Sequence, residues 1–244
     1  MKRLLKTVLL LLSVSTLYGA GSFVVYEVDG DPYEGYMVKS SENAPLVVIV
    51  HDWDGLNDYE IRRAEMLNGL GYSVFAVDLF GMGVRPTTLD DKRRLTAVLY
   101  EDRKKMRRLL EGGLKTAEAR GLNVGNAVAV GYCFGGAAVL ELARSGADLK
   151  AFVTFHGGLK TPRGEGYSKT KGKLLVLHGS ADTSVTMEDF AALTRELEAA
   201  HIPHEMITYS GAPHAFSVFG TERYREDADR KSWRRFTEFL EESF

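Results

Sequence analysis

The sequence predicts one α/β domain, built on a mostly parallel central sheet with helices on both faces and opened by an N-terminal β-hairpin. Three observations lead there. Strand-like and helix-like segments alternate along the chain after residue 22, the signature of βαβ units joined by right-handed crossovers. The run "APLVVIVHD" is apolar and β-branched without alternation, as a strand buried on both faces requires. No linker, repeat or low-complexity segment divides residues 22–244, and 45% hydrophobic and 26% charged residues suit one core of this size.

Each element has a local reason. "SFVVYEV" and "YEGYMVK" flank the Asp-Gly turn of "DGDP" and read as the hairpin. After "APLVVIVHD", the segment "YEIRRAEMLNGLG" places Ile61, Ala64, Met66, Leu67 and Leu70 at helical spacing and stops at Gly71. Strand "YSVFAVDLF" leads into the Gly- and Pro-marked loop "GMGVRPTT" and one long helical region from about Leu89 to Ala119. Its basic run "DRKKMRRLL" reads as a solvated face, because Met106, Leu109 and Leu110 point the other way. Strand "NAVAVGYC", helix "GGAAVLELARSG", strands "LKAFVTFHG" and "KLLVLHGSAD", helix "TMEDFAALTRELEAA", strand "HEMITYSG" and a closing helix complete the chain.

The first residues stand apart. Lys2, Arg3 and Lys6 precede an apolar run of about eleven residues from Val8 to Tyr18, then small Gly19, Ala20 and Gly21. This is the layout of a signal peptide, too short for a membrane span of roughly 20 residues. The expectation is therefore a signal peptide over residues 1–21, cleaved near Ala20 or Gly21. It would yield an exported chain, periplasmic or secreted, with no stable membrane association. An uncleaved anchor is the alternative. A formal charge of −2 gives no ground for a nucleic-acid partner.

Export sharpens interest in the only cysteine, Cys133. A lone thiol in an oxidising compartment has no internal partner and is flagged as reactive, or else serves as a small buried hydrophobe. It directly follows a strand and opens a helix, where unpaired N–H groups and the helix dipole favour an anion. With Gly131, Gly135 and Gly136 around it, the turn has the nucleophile-elbow pattern G-x-nucleophile-x-G, with Cys in the place of Ser. Such an elbow is followed in the chain by an acid and then a histidine. Asp182, after "KLLVLHG", and His214, in "YSGAPHAF", supply them in that order at two later strand ends. His156 and His178 come too early and read as strand-end residues satisfied by backbone. No H-x-x-x-H pair suggests a metal, and no cofactor is expected. An oxyanion hole would use the N–H of Phe134 and of Trp53.

Taken together, "HDWDGLN", "AVDLFGMGVRP", "GYCFGG", "HGSADTSV" and "APHAF" resemble the dienelactone hydrolase family of the α/β-hydrolase fold, from Tyr26 to the last helix. The resemblance implies a Cys133–His214–Asp182 triad that hydrolyses a small ester or lactone through an acyl-thioester. It also implies a thiol-positioning carboxylate at Asp52, where family members commonly carry the longer Glu. The family arginine shortly after the histidine is missing from "HAFSVF". Arg85, or Arg93 or Arg94, is the expected cation for a substrate carboxylate, and Phe80 and Phe216 are expected to line the pocket with Trp53 and Phe134. A broad carboxylesterase, a peptidase and a non-catalytic exported binding protein on the same fold are the competing readings.

Overall fold

The computed structural model describes residues 21–244. The expected signal peptide therefore lies outside the described residues, except for its last position. Eight strands form one sheet in the order β1-β2-β4-β3-β5-β6-β7-β8. β1 (Ser22–Val28) and β2 (Asp31–Val38) are the antiparallel hairpin, turned at Asp29 and Gly30, both with positive φ. β2 also runs antiparallel to β4 (Ser73–Val77). β3 (Pro45–Val50), β5 (Asn123–Tyr132), β6 (Ala151–Phe155), β7 (Lys173–Gly179) and β8 (His204–Tyr209) are parallel to their neighbours and to β4.

The predicted double-sided sheet follows from the strand pleat. Along β3, Leu46, Val48 and Val50 join one core, while Val47 and Ile49 join the other. The first core is covered by α2 (Leu89–Glu101), α3 (Arg103–Ala119), α4 (Phe134–Ser145) and α5 (Met187–Ala199). The second lies under α1 (Asp58–Gly69) and α6 (Glu226–Glu241). Met106, Leu109 and Leu110 of α3 are fully buried, as their spacing requires, each contributing about 1.5–3 kcal/mol.

Two features depart from the sequence expectation. The long helical region is two helices, broken at Asp102, which ends α2 and whose side chain caps α3 by accepting from the Lys105 N–H at 2.8 Å. The buried face of α1 is polar as well as apolar. Glu60 and Arg63 are fully buried, whereas Leu70 is exposed. Glu60 is held by the α1 capping box with Asn57, and Arg63 by an ion pair with Asp229 of α6.

Candidate active site

The site begins with the turn between β5 and α4. A Cβ on Gly131 would lie 2.0 Å from the Gly135 carbonyl oxygen, and one on Gly135 would lie 2.2 Å from that of Val50. Only glycines allow the chain to fold back this tightly. Between them Cys133 takes φ 52° and ψ −112°, a strained conformation costing about 1–3 kcal/mol. The surroundings enforce it. The Cys133 N–H donates to Phe155 O (3.1 Å), and its carbonyl accepts from Gly136 (3.1 Å) and Gly158 (3.2 Å). The thiol thus stands at the N-cap of α4, where no side chain caps the helix.

Two later loops bring its partners. His214 follows β8 and Asp182 follows β7. His214 Nε2 lies 3.0 Å from Cys133 Sγ, and Nδ1 lies 2.7 Å from Asp182 Oδ2. The other carboxylate oxygen accepts from the N–H of Ser184 (2.8 Å) and of Val185 (2.9 Å). Burial would raise the Asp182 pKa, but the bonds from His214, Val185 and Ser184 together hold it below the ordinary value. Burial likewise works to lower His214. Asp182 and the sulfur overcome it, and the imidazole is pushed up from 6.5 to about 10.

Phe134 opens α4, so its N–H has no partner within the helix. The Trp53 N–H donates to no acceptor among the described residues. The loop bearing Trp53 is fastened to α2, with Lys92 Nζ 2.6 Å from Asp54 Oδ1 and 5.5 Å from the Trp53 ring centre. Asp52 departs from expectation. Its carboxylate makes no hydrogen bond to Cys133 and turns onto its own loop, accepting from the Asp54 N–H at 2.7 Å. The shorter side chain finds the backbone before the sulfur. Burial and the Asp54 charge push it up to about 7.

The residues expected to contact substrate are placed as follows. Arg85 is engaged with the Val84 carbonyl (2.9 Å) and lies 3.8 Å from Glu34. Arg94 pairs with Asp91 on the exposed face of α2, and Arg93 is exposed. Phe80 stacks on Phe134 with ring centres 5.6 Å apart. Phe216 is fully buried against His156 and Tyr209, in the core on the far side of the sheet. It lines no substrate space there. A cavity of about 300 Å³ beside the site is lined by Tyr100, Arg103, Ala137, Gly158, Lys160 and Val185, among others. The Tyr100 ring packs edge-on to Phe134 at 5.4 Å, and its pKa is raised by burial and then by the nearness of Cys133. Arg103 Nε donates to Tyr100 O, but its buried Nη1 has no hydrogen-bond partner, with Glu141 at 3.7 Å. Arg103 was hidden in the basic run; the signal that exposes it is Asp102, an N-cap residue that starts a new helix at this arginine.

Backbone at Val185 acts on the His178 ring, whereas His156 is held by a side chain. His156 Nε2 meets Ser217 Oγ at 2.8 Å, and Ser217 Oγ meets Tyr59 OH at 2.7 Å. Arg63 donates to the Ser217 carbonyl at 2.9 Å. This buried network grips the loop that carries His214, and burial holds the His156 ring neutral.

A model of the dienelactone hydrolase family matches residues 33–244. A human carboxymethylenebutenolidase homolog is 27% identical over 208 residues, covering 82% of this chain and 81% of that protein. The solved structure m3DLH superposes with a TM-score of 0.85 at 31% identity, over 92% of this chain and 98% of that one. A dienelactone hydrolase-like promiscuous phosphotriesterase from metagenomic libraries gives the same TM-score and coverage at 29% identity. With an α/β-hydrolase sheet and a match of this extent, the chain belongs to the dienelactone hydrolase family and is a hydrolase of ester or lactone bonds.

Proposed function

We propose that this hydrolase cleaves a small ester or lactone by covalent catalysis at Cys133. The observation that carries the proposal is the chain of contacts from Sγ to His214 (3.0 Å) and from His214 to Asp182 (2.7 Å), at the uncapped start of a helix. His214 takes the thiol proton, and the helix N-terminus behind the sulfur suits the nucleophile that results. The thiolate attacks the substrate carbonyl carbon, and the carbonyl electron pair moves onto oxygen. The N–H groups of Phe134 and Trp53 receive that oxyanion, each worth about 3–4 kcal/mol. Collapse breaks the ester C–O bond, and the leaving alkoxide takes the proton from His214 Nε2. The ring, now neutral, removes a proton from water as its oxygen attacks the thioester. The second collapse returns the thiolate and releases the acid.

The cavity beside Tyr100 is the acyl site in this reading. A buried guanidinium nitrogen on Arg103 that makes no hydrogen bond and lies 3.7 Å from Glu141, with Lys160 at the rim, favours a substrate bearing an anionic group. Arg103 then takes the part expected of Arg85. Export, proposed on the basic and apolar character of residues 1–21, accords with a lone cysteine that has no disulfide to form.

The test is a substrate panel on the purified chain: acid-bearing lactones, neutral acyl esters and peptide amides, each beside Cys133→Ala. The expected result is turnover of esters and lactones, highest with the acid group, and none in the variant. Full activity in Cys133→Ala refutes the mechanism. Turnover of amides alone favours the peptidase, and no turnover favours a binding protein.

A further inference from the structure

We infer that His51 is the positioning residue of the oxyanion loop, a fixed hydrogen-bond donor that aims the Trp53 N–H at the substrate carbonyl. The inference rests on the reading of Cys133 as nucleophile and adds a residue to it.

His51 directly follows β3 and has no exposed surface. Its ring packs against the stacked pair of Phe80 (ring centres 4.7 Å apart) and Phe134 (6.3 Å). The Leu79 N–H donates to Nε2 at 3.0 Å, so Nε2 must carry the lone pair. The ring proton is therefore on Nδ1, which donates to the Asp52 carbonyl oxygen at 2.6 Å. Burial, opposed in part by Asp78, lowers the His51 pKa and keeps this single-proton form. Backbone thus selects the tautomer on one side of the ring, and the ring holds backbone on the other.

The consequence lies one bond away. The described chain has no cis peptide, so the Trp53 N–H points opposite to the Asp52 carbonyl, away from His51. On that side the N–H meets no acceptor among the described residues. The first turn of α4 is close by. A Cβ on Gly135 would lie 2.5 Å from the His51 carbonyl oxygen, so the segment bearing Trp53 and the helix start bearing Phe134 run side by side. Among the described residues the Asp52 carbonyl otherwise accepts only from Gly55 N, at 3.4 Å. Without His51, that longer bond alone resists a flip of the Asp52–Trp53 peptide.

Two substitutions separate positioning from bulk packing. In His51→Asn the amide NH₂ stands near the place of Nδ1 and keeps the donor to Asp52. In His51→Gln the amide reaches the place of Nε2 and leaves Asp52 without it. With a p-nitrophenyl ester, His51→Gln is expected to lose at least about tenfold in kcat with KM within about twofold, the mark of an interaction made in the transition state. His51→Asn should keep kcat within about threefold of the wild type. Alkylation of Cys133 by iodoacetamide, which uses no oxyanion hole, should be unchanged in both, and melting temperatures show that both are folded. Wild-type kcat in His51→Gln, equal losses in the two variants, or a parallel fall in alkylation would each overturn the inference. Failure of the underlying mechanism reads out elsewhere, as ester turnover that survives Cys133→Ala.

Discussion

Replacing Asp182 with Asn is expected to reverse the ionisation of His214, and the geometry fixes how. Two backbone N–H groups, of Ser184 and Val185, donate to Asp182 Oδ1. In Asp182→Asn the amide oxygen stays on those donors, so the NH₂ faces His214 Nδ1. That nitrogen must then accept, and the ring becomes the neutral Nε2–H tautomer, unable to take a proton at Nε2. The magnitude follows from the shift. Moving the ring from 6.5 to about 10, at about 1.4 kcal/mol per pH unit, means the folded site favours the charged ring by roughly 5 kcal/mol. Cys133 supplies part of this, so Asp182 accounts for a share only. With the carboxylate gone, burial, which works to lower the pKa, faces the sulfur alone.

The sign can be checked in two assays. A raised folded pKa contributes stability fully present below the unfolded value of 6.5 and lost as pH rises through about 10. Wild-type unfolding free energy from urea titrations should therefore fall between pH 6.5 and 10 on this account, and Asp182→Asn should flatten that fall. For hydrolysis of an alkyl ester, whose leaving alkoxide needs the imidazolium proton, the alkaline limb of kcat/KM should move from near pH 10 to below pH 7. At pH 7.5 the loss should be about a thousandfold or more. A variant within tenfold of wild type, with its alkaline limb unmoved, would refute the reasoning.

Two further outcomes are expected. Arg103→Met should lower kcat/KM for an ester carrying an acyl-side carboxylate by about 10- to 100-fold, the value of one charge-assisted bond, while a neutral acetyl ester keeps its rate. Comparing the two substrates on one enzyme preparation checks it. Gly135→Ala should destabilise the fold by about 3 kcal/mol or more, because its Cβ would meet the carbonyl oxygens of Val50 and His51 at 2.2 and 2.5 Å, both backbone. A urea midpoint unchanged from wild type would contradict this.

The order of strands and helices was legible because each strand from β3 to β7 carries at least three consecutive apolar residues, buried on both faces of the sheet. The meeting of Cys133, Asp182 and His214 was legible too, since each follows a strand and parallel strands end on one rim. What sequence periodicity hides is burial of charge. Arg63 reads as a surface residue of α1 until Asp229, 166 positions later, supplies its partner. Arg103 reads as one cation among several until Asp102 breaks the helix. Asp52 departs from its expected role because the competition between Asp54 N–H and a distant sulfur is decided in three dimensions. Phe216 lies two residues from His214 in the chain, but neighbouring residues of a turn can face opposite sides of a sheet.

Three histidines around the site, His51, His156 and His214, show why residue type alone assigns no role. His51, His156 and His214 are all largely removed from water, and burial works to lower the pKa of each. Burial prevails at His51, where Asp78 is 3.9 Å away and backbone occupies both ring nitrogens. It prevails at His156 as well, whose described partner is a neutral serine hydroxyl. His214 alone has a carboxylate on one nitrogen and a sulfur on the other, and it alone is raised. Two neutral rings therefore serve as fixed struts for loops, while the third is left to carry charge. A proton that shuttles at His214 Nε2 therefore meets no charged ring at His51 or His156. Removing Asp182 strips that distinction and makes the third ring resemble the other two.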